Sequence, residues 1–166
     1  MNDVKVKKAV RVWHLKHRDR DGNVIWEEHK ENALADEGEQ DILEVFYRAA
    51  AAPTEFYIRL FNDTPIETDG LTDLIGEPSG NGYAAQLVER SAVGFPTSAL
   101  DAGDWQIASK TVTFTASGGA IGPVTHGVLA TTSDNTGRLN SFVALSQSRT
   151  LADGESLDVT ITIKLQ

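Results

Sequence analysis

From Ser156 to Leu165 the chain alternates without a break, with Leu157, Val159, Ile161, Ile163 and Leu165 on one side and Asp158, Thr160, Thr162 and Lys164 on the other. Successive side chains of a strand point to opposite faces, so strict period two predicts a strand with one buried face and one that is wet or at an interface. Such a strand needs a sheet, and the apolar face of that sheet needs a second layer to cover it.

The rest of the chain offers candidates for that layer. Tyr83 to Glu89, Lys110 to Ala116, Val124 to Thr131 and Leu139 to Leu145 read as strands separated by Gly, Asn, Asp and Pro clusters. Glu55 to Phe61 is rich in aromatic and branched residues and reads as a buried strand after Pro53. Residues 4 to 18, with Val4, Val6, Val10 and Val12 set between Lys5, Lys7 and Arg11, read as a strand with a slip near Lys8 and Ala9. Asp21-Gly22 is a hairpin turn signal leading to Val24-Ile25-Trp26, a pairing that would bring Trp13 near Trp26. Helical spacing of Ile42, Val45 and Phe46, after the acids Asp36, Glu37 and Glu39, predicts a helix over 36–50. Residues 62–82 read as a long loop with one helical turn at Leu71 to Leu74, and long loops in small domains point to function or an interface. One helix among many strands, with no βαβ alternation, predicts an antiparallel β-sandwich or jelly-roll-like barrel, the helix covering one end. The predicted organisation is a basic N-terminal hairpin arm over 1–31 and a single sandwich domain over 32–166.

Charge divides the chain along the same line. The net charge is −9, which excludes nucleic acid as a partner of the whole molecule, since phosphate contacts need clustered Lys and Arg. Residues 1–30 nevertheless carry eight Lys or Arg against five acids, and residues 31–89 two Arg against thirteen acids. The basic residues Lys5, Lys7, Lys8 and Arg11 are therefore candidates for docking onto an acidic neighbouring subunit. Without cysteine, neither disulfides nor thiolate metal sites can hold the fold. No apolar run reaches the roughly 20 residues that span a bilayer, so no membrane role is expected.

Templates for chemistry find little to match. His14 and His17 point to opposite faces of a strand; either could meet His29 across the hairpin, but histidines on a polar hairpin are ordinarily free of metal. The run from His17 to Glu28 places Asp19, Asp21, Gly22 and Glu28 at positions three, five, six and twelve of an EF-hand-like loop. His17 stands there where the first carboxylate belongs, and Arg18 and Arg20 repel a cation, so a plain Asp-Gly hairpin is the better reading. No nucleophile motif is present, and Asp69, Asp73 and Glu77 form only a common kind of acidic loop, so neither catalytic residue, metal nor cofactor is expected. The segment Glu77-Pro78-Ser79-Gly80-Asn81-Gly82-Tyr83 lacks the Lys and Ser/Thr of a phosphate loop and reads as a rigid turn. Its Glu77, Gly80, Asn81, Gly82 and Tyr83 join the candidates for an assembly surface.

The order of these features resembles a family of tailed-bacteriophage virion proteins of tail, fibre or head-surface type. The resemblance rests on Asn32-Ala33-Leu34-Ala35-Asp36-Glu37-Gly38, on Phe56 to Phe61 followed by Asn62-Asp63-Thr64-Pro65, and on Glu-x-x-Gly-x-Gly-Tyr at Glu77, Gly80, Gly82 and Tyr83. It continues through Gly122-Pro123-Val124-Thr125-His126-Gly127, Gly137-Arg138-Leu139 and Arg149 to Glu155. The chain departs from the family pattern at Ala85, where Arg is frequent, and at Ile121, where an aromatic is frequent. The resemblance implies a non-enzymatic virion component that contacts other copies of itself and other capsid or tail proteins. The alternative is a host-glycan-binding module, for which Trp105 and Phe95 in a loop-like region are the candidate aromatics.

Overall fold

The computed structural model describes residues 9–165. The strands are β1 (Ala9–Arg18), β2 (Val24–Glu31), β3 (Ala33–Leu34), β4 (Glu55–Phe61), β5 (Gln86–Glu89), β6 (Thr97–Asp101), β7 (Asp104–Ala108), β8 (Val112–Thr115), β9 (Ile121–Ala130), β10 (Leu139–Leu151) and β11 (Ser156–Leu165), with one helix, α1 (Asp36–Tyr47), and a 3-10 turn at Leu71–Asp73. They form two antiparallel sheets, one ordered β2-β1-β11-β7-β6 with β8 also on β11, the other ordered β3-β10-β9-β4-β5. The β-sandwich read from the sequence is what the chain forms.

Strand β11, the strongest alternating segment, sits at the centre of its sheet. It pairs along its whole length with β1, from Ala9 opposite Leu165 to Arg18 opposite Ser156. Its other edge is shared, Ser156 to Val159 taking β8 and Thr162 to Lys164 taking β7. Between them Ser109 fills the gap, its N–H donating to the Ile161 carbonyl at 2.8 Å and its hydroxyl accepting from the Ile161 N–H at 2.9 Å.

The main core lies between the sheets. Leu157, Val159 and Ile161 of β11 and Trp13 and Leu15 of β1 pack against Ile58, Leu60, Val124, Leu129 and Val143 of the facing sheet. Trp13 is fully buried, and a Cβ at Gly127 of β9 would lie 2.8 Å from its ring, so the glycine makes the room the indole occupies. Each such aliphatic side chain contributes about 1.5–3 kcal/mol by leaving water. A second cluster covers the far face of the β9–β4 sheet: Phe61, Val128, Ala130, Leu139 and Phe142 under Leu71 and Leu74 of the long loop. That sheet is therefore buried on both faces, which is why Glu55 to Phe61 reads as nearly continuous apolar sequence.

Three expectations are corrected. The N-terminal hairpin, in its described part, is no arm but two strands of the sandwich sheet, because Trp13 and Leu15 need the core more than Lys and Arg need solvent. Their face also reverses the expected alternation: Arg11, Trp13, Leu15 and His17 point inward, and Val12, His14, Lys16 and Arg18 outward. Trp26 lies opposite His17, not Trp13, which is opposite Lys30. The Arg149 guanidinium covers the Trp26 ring at 4.1 Å.

Candidate assembly surface

Glu77 and Tyr83 turn inward at the two ends of their loop, while Ser79, Gly80, Asn81 and Gly82 between them stay exposed. Arg59 of β4 is 1% exposed, and its guanidinium donates to both oxygens of Glu77, at 2.9 and 2.5 Å, to the Asp134 carbonyl at 2.7 Å and to Asn135 Oδ1 at 2.8 Å. The Tyr83 hydroxyl donates to Glu77 Oε1 at 2.8 Å and accepts the Leu60 N–H at 3.0 Å, standing in for the partner that β4 loses where β5 ends. The Tyr83 ring stacks on Phe114 with centroids 5.7 Å apart, and burial pushes its phenol pKa far up. Glu77, Arg59 and Tyr83 thus clasp the long loop and the 132–137 loop onto the sheet.

The turn between them holds three successive positive φ angles, 71° at Gly80, 51° at Asn81 and 80° at Gly82. A Cβ on Gly82 would lie 2.8 Å from the Thr115 carbonyl oxygen, so glycine is required there by both space and conformation. Asn81 donates to the Ala120 carbonyl at 2.7 Å, and its own carbonyl accepts the Ser117 N–H at 2.9 Å. The expected strand from Tyr83 begins instead at Gln86, three residues further on.

The helix presents the opposite situation. The first half of α1 is docked: a Cβ at Gly38 would lie 2.0 Å from the Asn140 carbonyl oxygen, Glu37 accepts the Leu139 N–H at 2.6 Å, and Arg138 pairs with Asp41 at 2.8 Å. Burial raises the Asp41 pKa, and Arg138 partly offsets that rise. The second half is bare. Phe46 and Tyr47 are 78% and 75% exposed, and Ile42 and Leu43 beside them are exposed as well. The only buried residue of the helix is Gly38. Asp36, Glu37, Glu39, Asp41 and Glu44 make α1 acidic, and it contains no Lys or Arg.

Two clefts flank this helix, one of about 300 Å³ against Asn32 to Leu34 and Glu67, the other of about 240 Å³ against Phe56, Phe95 and Ile163. Arg11 lines both. It is 5% exposed, its Nε has no hydrogen-bond partner among the described residues, and burial lowers its pKa to about 10.

The expected site residues therefore separate. Glu77, Gly80, Asn81, Gly82 and Tyr83 gather at one clasp, Arg11 lies under α1, and Lys5, Lys7 and Lys8 lie outside the described residues. The EF-hand-like reading of Asp19, Asp21 and Glu28 dissolves. Asp19 Oδ1 accepts the N–H groups of Asp21 and Asn23 at 2.9 and 2.8 Å within the turn, while Glu28 accepts the Ser146 N–H at 3.1 Å on another part of the hairpin. Sequence reasoning missed the exposed face of α1 because an apolar stripe at helical spacing looks the same whether it meets the core or is left open.

The fold defines the class: a two-sheet antiparallel β-sandwich with one helix on its flank. Residues 33–164 match the family of the podophage GP4 fiber I protein gp80, and the chain belongs to that family. It is a tail-associated structural protein of a phage virion. No curated protein sequence matches the chain.

Proposed function

We propose that the chain is a fibre subunit that works by homo-oligomeric assembly, with the bare half of α1 buried against a second copy. The observation that carries this is the cluster of Ile42, Leu43, Phe46 and Tyr47 left open to solvent on a helix whose other half is docked. Contiguous exposed apolar patches of this kind mark interaction sites. The acids of α1 favour a basic partner, and the chain supplies one in Lys5, Lys7 and Lys8 of a neighbouring copy, with other virion proteins completing the attachment.

Sedimentation or light scattering of the Phe46→Ser, Tyr47→Ser double variant tests the reading. The expected result is a shift to smaller species, with thermal stability changed by under about 0.5 kcal/mol when both proteins are compared at dilutions where they are monomeric. A wild-type monomer at high concentration, or an oligomer indifferent to the substitutions, refutes it.

Trp105 supports a second reading. It is 60% exposed on the β6–β7 hairpin beside a shallow hollow with Ser98, Gln106 and Ile107, an arrangement on which a sugar ring can stack. Binding on a glycan array that is lost in Trp105→Ala would favour a host-glycan-binding role; no binding would remove it.

A further inference from the structure

The outer face of the β1–β2 hairpin gathers three metal-ligating side chains at one spot. His14 of β1 is directly opposite His29 of β2, and Glu27 is two residues before His29 on the same face. The imidazoles stack with centroids 3.8 Å apart. His14 Nε2 is 2.6 Å and His29 Nε2 3.6 Å from the same oxygen, Glu27 Oε1. One ligand atom from each residue can be chosen so that all three lie within 4.8 Å of one another.

We infer that His14, Glu27 and His29 bind one divalent transition-metal ion of the Zn(II) class. Metal–nitrogen and metal–oxygen bonds of about 2.0–2.2 Å place the ligands of a tetrahedral ion roughly 3.3–3.6 Å apart, so this set needs shifts on the order of an ångström. Two imidazoles and a carboxylate select zinc and its neighbours over magnesium or calcium, which demand more oxygen. Three protein ligands leave a fourth position open to solvent.

The surrounding charges are mixed. Lys16 lies 3.3 Å from Glu27 Oε1, but its side chain is 33% exposed and free to swing away when a metal takes the carboxylate. The neighbours on β11 are neutral at the centre, with Thr160 opposite His14, and Asp158, opposite Lys16, is already paired with Arg18 at 2.7 Å. Glu31 stands opposite Val12, next along the edge strand. The pairing matters structurally because β2 is the outermost strand of its sheet, held there by one neighbour. A bound ion would tie that edge to β1 through side chains as well as backbone.

Isothermal titration of tag-free protein with zinc chloride, after dialysis against chelator, tests the inference. One ion per chain is expected, weakened at least ten-fold in His29→Ala and in Glu27→Gln, with no binding of magnesium. His29 and Glu27 are exposed, so these variants retain the fold, and a circular dichroism spectrum and melting curve without metal verify that. A rise in wild-type melting temperature with zinc, absent in His29→Ala, is the second expected readout. Lack of saturable binding by the wild type, or wild-type affinity retained in either variant, overturns the inference.

Discussion

Replacing Glu77 by Gln asks whether Glu77, Arg59 and Tyr83 form an internal clasp. The substitution keeps the size of the side chain and an oxygen for the Tyr83 hydroxyl, but it removes the charge that faces Arg59 and turns one of two guanidinium contacts into a donor meeting a donor. Arg59 is 1% exposed and would retain the Asp134 carbonyl, Asn135 Oδ1 and, at its Nε, the now uncharged amide oxygen. Removing one partner of a buried ion pair costs about 3–5 kcal/mol. The Glu77 side chain is 28% exposed, so water recovers part of that loss and about 2–3 kcal/mol is expected. For a chain of 166 residues, where 1 kcal/mol moves the melting temperature by about 2–4 °C, the drop is roughly 4–12 °C. Urea unfolding with an unchanged m value gives the same free energy independently. A double cycle with Arg59→Met isolates the pair, with a coupling of about 1–3 kcal/mol expected. A loss under about 0.5 kcal/mol, or additive losses in the cycle, would show that the loop is held by something else and that Glu77 is free to serve an interface.

Two further perturbations probe the helix and the clefts beside it. Gly38→Ala drives a Cβ into the Asn140 carbonyl, so α1 must lift from β10; a loss of about 2–4 kcal/mol in thermal unfolding is expected, and a neutral result would mean that the helix is not docked there. Arg11→Met removes a buried guanidinium whose pKa burial lowers to about 10 and replaces it with an apolar chain of similar length. Stability is expected to rise by about 1–3 kcal/mol, and a fall would reveal a partner that holds the charge.

How far the fold could be read from sequence depended on where each residue's energy lay. Strands β4 and β11 were legible at their bounds because burial dominates them, on both faces in one and on alternate faces in the other. Strands β6 and β7 were missed, since Thr97-Ser98-Ala99-Leu100-Asp101 lies at a sheet edge and carries almost no apolar pattern. In β1 the valines suggested one inward face, but Trp13 and Leu15 bury far more area and decided for the other, taking Arg11 inside with them. The acidic glycine loop was recognisable as a turn, whereas its use of Glu77 on Arg59 was not, because the two lie 18 positions apart and no local rule reports such a distance. The His14, Glu27 and His29 cluster needed the strand register, which the hairpin signal alone leaves open by a residue or two; a slip of one would have sent Glu27 and His29 to the opposite face.

The pairing of Ala9 with Leu165 has a consequence in time. Trp13 and Leu15 leave the ribosome ahead of the strand that shelters them, which ends about 150 residues later and, at about 5–20 residues per second, arrives roughly 8–30 seconds afterwards. Until then β1 and β2 form at most a lone hairpin, which is marginal in water. Closing this sheet is therefore a late, long-range step, made once β11 has been synthesised, and slow in the manner of folds built from distant contacts. In the interval the Lys and Arg residues around Trp13 and Leu15 act as gatekeepers, keeping an unpaired edge from meeting its like on another nascent chain.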